Sequence, residues 1–313
     1  MNDRNREERL TALDQGFKTI VHDSDVLSWL IRSNVDEFKD KTIEEIKSCL
    51  NIGEDGRTVI GRENEYDSPV NGRIVTDSIF DVKVPGTDEE VSVIVNLEGQ
   101  YDPNPGYPLE KRAEYYMARL VSSQKGVVFS NDDYGRLRKV YSIWIILDPK
   151  SENRNTVTRY SMAGHSVAGD PKRKMPLLET FNIVFINVGR YDSSLPDVTA
   201  FPAVLFSRMS IDERQELMSE KFNISLNDAM NREVDNMASM GEDAFNYGFR
   251  EGVKEGIKEG TIIGIKKEKI DMIVRLIKMN GNTMNEAMSI VDVPENMAEE
   301  IEKEVRKRLD SDN

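Results

Sequence analysis

The chain has 313 residues, more than a typical single domain, so one large domain with appended segments is expected. Its net charge of −14 argues against a protein that coats nucleic acid through a basic surface. The sequence has no apolar run long enough to cross a bilayer, no signal-peptide pattern, and a single cysteine, which excludes an internal disulfide framework. We therefore expect a cytoplasmic protein without a membrane partner.

Residues 1–55 are predicted to be helical, because apolar residues recur there at helical spacing. Thr42 followed by Glu45 is the pattern of a capping box, in which side chains and backbone amides at a helix start bond to each other. The segment 52–73 is polar and rich in glycine and asparagine, which indicates a loop that leads into the first strand.

Residues 74–84 and 91–100 are predicted to form two strands, with turn residues at 85–88 between them. In the second strand the aliphatic residues share one parity, whereas Glu98 and Gln100 share the other. In the first strand Asp77, Asp81 and Lys83 lie on one side. If the strands form a hairpin, Asp81 comes near Glu98, and two close carboxylates repel unless a proton or a cation lies between them. Oxygen ligands favour Mg²⁺ or Mn²⁺, and a solvated acidic edge is the alternative.

The rest of the core is predicted to contain one helix and three further strands. A helix over 109–124 follows a proline-glycine loop, and strands follow at 140–147, 156–162 and 181–188. The strand at 140–147 is apolar on both faces, which is typical of a central strand. This order of elements predicts a layered α/β domain.

From about residue 210 the chain is almost free of strand patterns. Glycines recur there at every fourth position, at Gly248, Gly252, Gly256, Gly260 and Gly264. Such a row on a charged helix lets a second helix approach closely, so we expect a homo-oligomer formed through the C-terminal helices.

The run VIVNLEGQYDPNPGYPLEKRAEYYMARLVSSQ, followed by DYGRLRKVYSIWIILD, resembles the PD-(D/E)XK nuclease-family transposases, relatives of the recombination-promoting nucleases of bacteria and mobile elements. The order of an aspartate, a turn and Glu-x-Gln is similar to the nuclease motif. The resemblance implies a restriction-endonuclease-like core, with a mixed central sheet flanked by helices, over 56–207. It also implies N-terminal helices packed on that core over 1–55 and an all-helical extension over 208–313.

The resemblance further implies that Asp81 and Glu98 bind the metal ion, with the carbonyl of Gly99 as an added ligand. Gln100 stands where the standard motif has lysine. A glutamine cannot act as a general base, but it can hold a water or a phosphate oxygen. Lys83 is expected either to supply the missing cation or to be a solvated strand lysine.

Other expectations from the resemblance concern flanking segments. Glu65, or Glu63 in its place, is either a third metal ligand or a loop carboxylate. Arg112 and Arg119 lie on the helix expected beside the site, where Arg112 either binds the scissile phosphate or pairs with nearby glutamates. Asp14, Phe17 and Lys18 are similar to an Asp-x-x-Phe-Lys pattern of related nucleases; we interpret them as a first-turn acid, a core aromatic and its neighbour.

The sequence thus leads to two hypotheses. The first is an endonuclease that uses Mg²⁺ or Mn²⁺ to hydrolyse DNA in recombination or for a mobile element. The second is a catalytically weak or inactive nuclease-fold protein that acts through oligomerisation and partner binding. The carboxylates favour the first, whereas Gln100 and the acidic pI favour the second. The first depends on Asp81 and Glu98 converging on one cation.

Overall fold

The computed structural model describes residues 3–62, 65–68, 72–75, 77–85, 92–101, 105–169 and 178–311. The chain divides into two compact units, Met1–Asp243 and Ala244–Asn313. The first unit contains a mixed sheet and packed helices, which confirms the predicted α/β class.

The central sheet of the first unit has five strands. The strands of the described chain are β1 Glu65–Ser68, β2 Gly72–Val75, β3 Ser78–Lys83, β4 Ser92–Gln100, β5 Val140–Ile146, β6 Thr156–Met162 and β7 Leu178–Asn187. The sheet order is β3-β4-β5-β7-β6, in which β4, β5 and β7 are mutually parallel and the two outer strands are antiparallel to their neighbours. β1 and β2 form a separate hairpin. The predicted strand 74–84 is therefore divided between β2 and β3.

Most helices lie within the segments predicted to be helical, whereas the helix at 197–206 was not predicted. The helices are α1 Asp3–Val21, α2 Ser24–Asn34, α3 Ile43–Lys47, α4 Leu109–Ser122, α5 Asp197–Phe206, α6 Ile211–Phe222, α7 Asp228–Asn280, α8 Met284–Ile290 and α9 Glu295–Ser311. The predicted capping box is confirmed: the Thr42 side chain accepts from the Glu45 backbone, and the Glu45 carboxylate accepts from the Thr42 backbone.

Helices cover both faces of β4. Val93, Val95 and Leu97 belong to the main core, which α1, α2 and α5 also line. Ile94, of the opposite parity, packs in a second cluster with residues of α4. The predicted alternation is therefore confirmed. Because α4 covers the second face, Asn96 and Glu98 are removed from water, and Glu98 is 2% exposed, whereas Gln100 at the strand end is half-buried.

The first unit extends beyond the boundary expected near residue 208. Met218 and Phe222 of α6 and Val234 of α7 are buried in the main core. These few apolar residues, spaced between charged ones, attach the helices to the sheet domain. The first unit therefore ends at Asp243 rather than near residue 208.

The second unit is held by a small core of its own. Ile273 of α7 is fully buried with Ile301 and Val305 of α9. A Cβ added at Gly256, Gly260 or Gly264 would meet no atom of the described chain within 4 Å. Oligomerisation through this glycine row stays a prediction. In the part of the chain that the structure describes, no helix has the length and apolarity needed to cross a membrane.

Candidate functional site

The register of β3 against β4 decides which carboxylates meet. Asp81 pairs with Ile94, whereas the backbone N–H of Asp77, just before β3, donates to Glu98 Oε1 at 3.4 Å. A strand advances about 3.3 Å per residue, so Asp81, four residues along the ladder, lies roughly 13 Å from this position. The predicted convergence of Asp81 and Glu98 is therefore wrong, and Asp77 is the carboxylate that meets Glu98.

Asp81 has a different environment from the one expected. Its carboxylate accepts hydrogen bonds from Arg62 and, at 3.2 Å, from Arg138. Two guanidinium groups compensate its charge within the chain, so Asp81 does not require a metal ion for that purpose.

The acid pair, Asp77 and Glu98, is oriented by three hydrogen-bond donors. The Gly99 backbone N–H donates to Asp77 Oδ2 at 2.7 Å. Asn96 Nδ2 donates to Glu98 Oε1 at 3.2 Å and lies equally far from Ser142 Oγ. Together with the Asp77 backbone amide, these donors hold both carboxylates at the end of β4.

Burial and mutual repulsion favour protons on the acid pair. Burial, with the charge of Asp77 as the next cause, raises the pKa of Glu98 to about 8, although Asn96 and Arg112 oppose the shift. Burial also raises the pKa of Asp77 to about 7, with the Gly99 N–H opposing and Asp14 adding to the rise. Near neutral pH the acid pair therefore binds either a proton or another cation.

Helix α1 reaches the end of β4 through the Phe17 ring and reaches Asp77 directly, because the side chains of Asp14 and Asp77 share a hydrogen bond. The Phe17 ring lies against Gly99, where an added Cβ would be 2.8 Å from two ring atoms. Tyr101 adds a second connection, because its hydroxyl donates to the Leu13 carbonyl at 3.0 Å. On the same helix, Lys18 forms an ion pair with Asp14 at 2.8 Å, and both charges act on Asp77.

Arg112 of α4 approaches the acid pair from the other side. Its guanidinium lies over the rings of Tyr116 and Trp144, at 4.9 and 5.3 Å from their centroids. Its Nη1 is 3.4 Å from Gln100 Oε1, and its charge lowers the pKa of Glu98. The structure thus places Arg112 beside Gln100 and within electrostatic range of Glu98, and its role as a phosphate ligand stays a prediction.

Asp77 opens to solvent through a cleft of about 490 Å³. Lys18, Arg62 and His22 also line this cleft. His22 lies 2.8 Å from the Val59 carbonyl and 2.9 Å from Ser78 Oγ, so it fixes the residue next to Asp77. The cleft thus places two cations, each in an ion pair, beside the Asp77 carboxylate.

Other predicted site residues lie elsewhere. Lys83 is exposed at the far end of β3, six residues from Asp77, which is roughly 20 Å. Arg119 lies two turns of α4, about 10 Å, from Arg112. Glu65 begins β1, but its side chain and all of Glu63 lie outside the described residues.

The donor chemistry of the acid pair fits a hard divalent cation. Among the described residues, no group of three or more His, Cys, Asp or Glu side chains is placed to hold a metal ion. Mg²⁺, however, is commonly bound by one or two carboxylates together with water and phosphate. Asn96 adds a buried Oδ1 that has no hydrogen-bond partner in the described chain. Only oxygen atoms are offered, which suits Mg²⁺ or Mn²⁺ better than zinc.

One sequence signal pointed to residues that the prediction missed, but the predicted turn did not give the register. The observed pairs run from Ser78–Leu97 to Lys83–Ser92 and continue to residue 77 opposite Glu98, whereas symmetry about the predicted turn at 85–88 would place Val75 there. The spacing Asp14-x-x-Phe17-Lys18 marks a helix that buries one ring and carries charges on the adjacent turns.

Comparison of the chain with protein-family models, with curated proteins and with solved structures finds no match. The resemblance to the nuclease-family transposases therefore stays an expectation from the sequence.

Proposed function

We propose that the chain is a metal-dependent endonuclease that hydrolyses phosphodiester bonds in DNA, built on a restriction-endonuclease-like core. The observation that carries this proposal is the buried acid pair beside Arg112, Gln100 and Lys18. Two adjacent carboxylates destabilise a fold unless they bind a cation or a proton, and perturbed acids in a cleft are typical of functional sites.

Asp77 and Glu98 hold the metal ion in this proposal. Mg²⁺ bound there would neutralise the phosphate and supply a water of lowered pKa. The chain contributes orientation: Gly99 fixes Asp77, Asn96 fixes Glu98, and α4 keeps bulk water from Glu98.

Arg112 and Gln100 hold the scissile phosphate. The rings of Tyr116 and Trp144 fix the guanidinium, so less side-chain freedom is lost when it binds an anion. Gln100 lies within reach of Arg112 and hydrogen-bonds a phosphate oxygen or the attacking water.

Lys18, rather than Lys83, supplies the cation that the motif lacks at Gln100. Its ammonium group lies on α1, lines the cleft that opens at Asp77, and acts electrostatically on that carboxylate. Lys18 and Arg62 line this cleft in ion pairs with Asp14 and Asp81, so a phosphate that binds there replaces one of these carboxylates as the partner of a cation.

Nicking of supercoiled plasmid tests the proposal. We expect the purified protein to nick plasmid in MgCl₂ and to be inactive in EDTA. Asp77→Asn and Glu98→Gln should each reduce the rate by roughly two orders of magnitude or more, because each removes a charged metal ligand. Asp81→Asn is the matched control and should retain activity.

Two results would remove the proposal: absence of Mg²⁺-dependent nicking by folded protein, and equal nicking by Asp77→Asn and wild type. Circular dichroism of each variant separates loss of activity from loss of fold.

An assembly protein without catalysis is the second candidate function. The open glycine row at Gly256, Gly260 and Gly264 favours it, as does Gln100 in place of lysine. Sedimentation velocity should then show an oligomer for the full chain and a monomer for residues 1–243. An unchanged oligomeric state after truncation would contradict assembly through the C-terminal helices.

A further inference from the structure

A second cleft, of about 670 Å³, lies at the carboxyl ends of β5 and β7. Its walls include Tyr107 before α4, Lys150 after β5, Tyr160 of β6 and Phe185 of β7. In open sheets with parallel strands, the crevice outside the carboxyl ends is the usual place for a ligand. The nuclease chemistry proposed above does not use this cleft.

One row of the sheet joins the acid pair to this cleft through the buried side chain of Trp144. Glu98 pairs with Trp144, Trp144 with Phe185, and Phe185 with Thr158. Paired residues point to the same face, and neighbouring strands are about 4.8 Å apart, so Phe185 lies roughly 10 Å from Glu98. This is a distance that a single DNA strand spans in a few nucleotides.

Aromatic rings follow the same row. Tyr116 and Trp144 have centroids 5.9 Å apart, as do Trp144 and Phe185, and Phe185 and Tyr160. Arg112, the proposed phosphate ligand, lies over the first two rings, and its Nη1 is 3.3 Å from the Tyr107 hydroxyl. The aromatic row therefore leads from the phosphate position into the cleft.

The lining of the cleft suits bases better than phosphates. Tyr107 and Tyr160 are 49% and 47% exposed, so each offers ring surface to a ligand. Glu110 and Lys150 carry opposite charges, and the other polar groups that line the cleft are neutral hydroxyls and amides. Flat aromatic surface with neutral donors and acceptors is the usual lining of single-strand binding sites.

We propose that this cleft binds unpaired nucleobases of the DNA strand whose phosphate lies at the acid pair. The substrate class is then DNA with a single-stranded segment, because a base inside a duplex cannot reach a stacking surface. This inference rests on the proposed nuclease function, which places the phosphate of the bound strand at the acid pair. Binding to the cleft can nevertheless be measured without cleavage.

Fluorescence anisotropy of a labelled oligothymidylate in EDTA tests the proposal. Tyr160→Ala should weaken binding by about tenfold, the usual effect of removing one stacking ring, whereas Tyr160→Phe should bind like wild type. Tyr134→Ala is the matched control, since Tyr134 is 58% exposed and lies outside the cleft lining.

The proposal is overturned if wild type does not bind the oligothymidylate or if Tyr160→Ala binds it as tightly as wild type does. It is also overturned if Tyr160→Ala weakens binding of a blunt-ended duplex by the same factor as binding of the oligothymidylate. Its failure is distinguishable from failure of the nuclease proposal. If wild type nicks plasmid but Tyr160→Ala binds the oligothymidylate as wild type does, only the cleft assignment is wrong. If Tyr160→Ala binds more weakly but wild type does not nick plasmid, only the cleavage assignment is wrong.

Discussion

The Phe17 ring packs directly on Gly99, so closely that a Cβ at Gly99 would lie 2.8 Å from two of its atoms. This contact joins α1 to the end of β4, beside Glu98. Glycine is required here for space, since only a residue without a side chain allows the ring to approach.

Gly99→Ala should destabilise the fold and disturb the site together. Inserting a methyl group against a buried ring typically costs about 1–3 kcal/mol in unfolding free energy. The same displacement would move Asp14 and Lys18 away from Asp77. Urea denaturation measures the first effect, and Mg²⁺ titration measures the second.

The control for this variant is Gly135→Ala, where an added Cβ would meet only the Asp133 carboxylate at 3.8 Å. It should be nearly neutral. Combining Gly99→Ala with Phe17→Leu should recover part of the lost Mg²⁺ affinity. An unperturbed Gly99→Ala protein would contradict the role given to this contact.

Without metal, stability should fall as pH rises. The pKa values of Asp77 and Glu98 are raised from ordinary values of 3.8 and 4.5 to about 7 and about 8. The folded state therefore binds protons more tightly than the unfolded state, and its stabilisation by protonation is complete below pH 4 and lost through pH 8. Urea denaturation in EDTA at several pH values checks this.

Glu98→Gln should flatten this pH dependence, because an amide has no proton to lose. It should be more stable than wild type at pH 8 in EDTA. Saturating MgCl₂ should reverse that order, since the ion stabilises only the intact acid pair. A wild-type protein that gains stability from pH 5 to pH 8 in EDTA would contradict the raised pKa values.

Asp81→Asn tests whether Asp81 of β3 is a structural carboxylate rather than a metal ligand like Asp77. It removes one charge between Arg62 and Arg138, and because Asp81 is partly exposed we expect a loss of about 1 kcal/mol in unfolding free energy. Chemical denaturation should detect this loss, and plasmid nicking should remain. Abolished nicking by a folded Asp81→Asn protein would contradict the assignment.

Periodicity predicted most of the elements, because local patterns determine them. Alternation in β4 and the capping box at Thr42 both depend on residues within a few positions of each other. The position of Arg112 near Gln100 also followed from local order, since the strand end and the helix are joined by a short loop.

The composition of the acid pair and its contacts with α1 depend on residues far apart in the sequence. The partner of Glu98 depends on register, and a shift of four residues along β3 replaces Asp81 by Asp77. Asp14 and Lys18 reach the site only because α1 packs on Gly99, about 80 residues further along the chain. No local pattern specifies either contact.

Calorimetric titration with Mg²⁺ tests the central claim most directly. The account predicts that wild type binds Mg²⁺ with release of protons near pH 7, since the ion displaces protons from the acid pair. Asp77→Asn and Glu98→Gln should lose this binding, whereas Asp81→Asn should keep it. Binding that survives Asp77→Asn and disappears in Asp81→Asn would contradict the account.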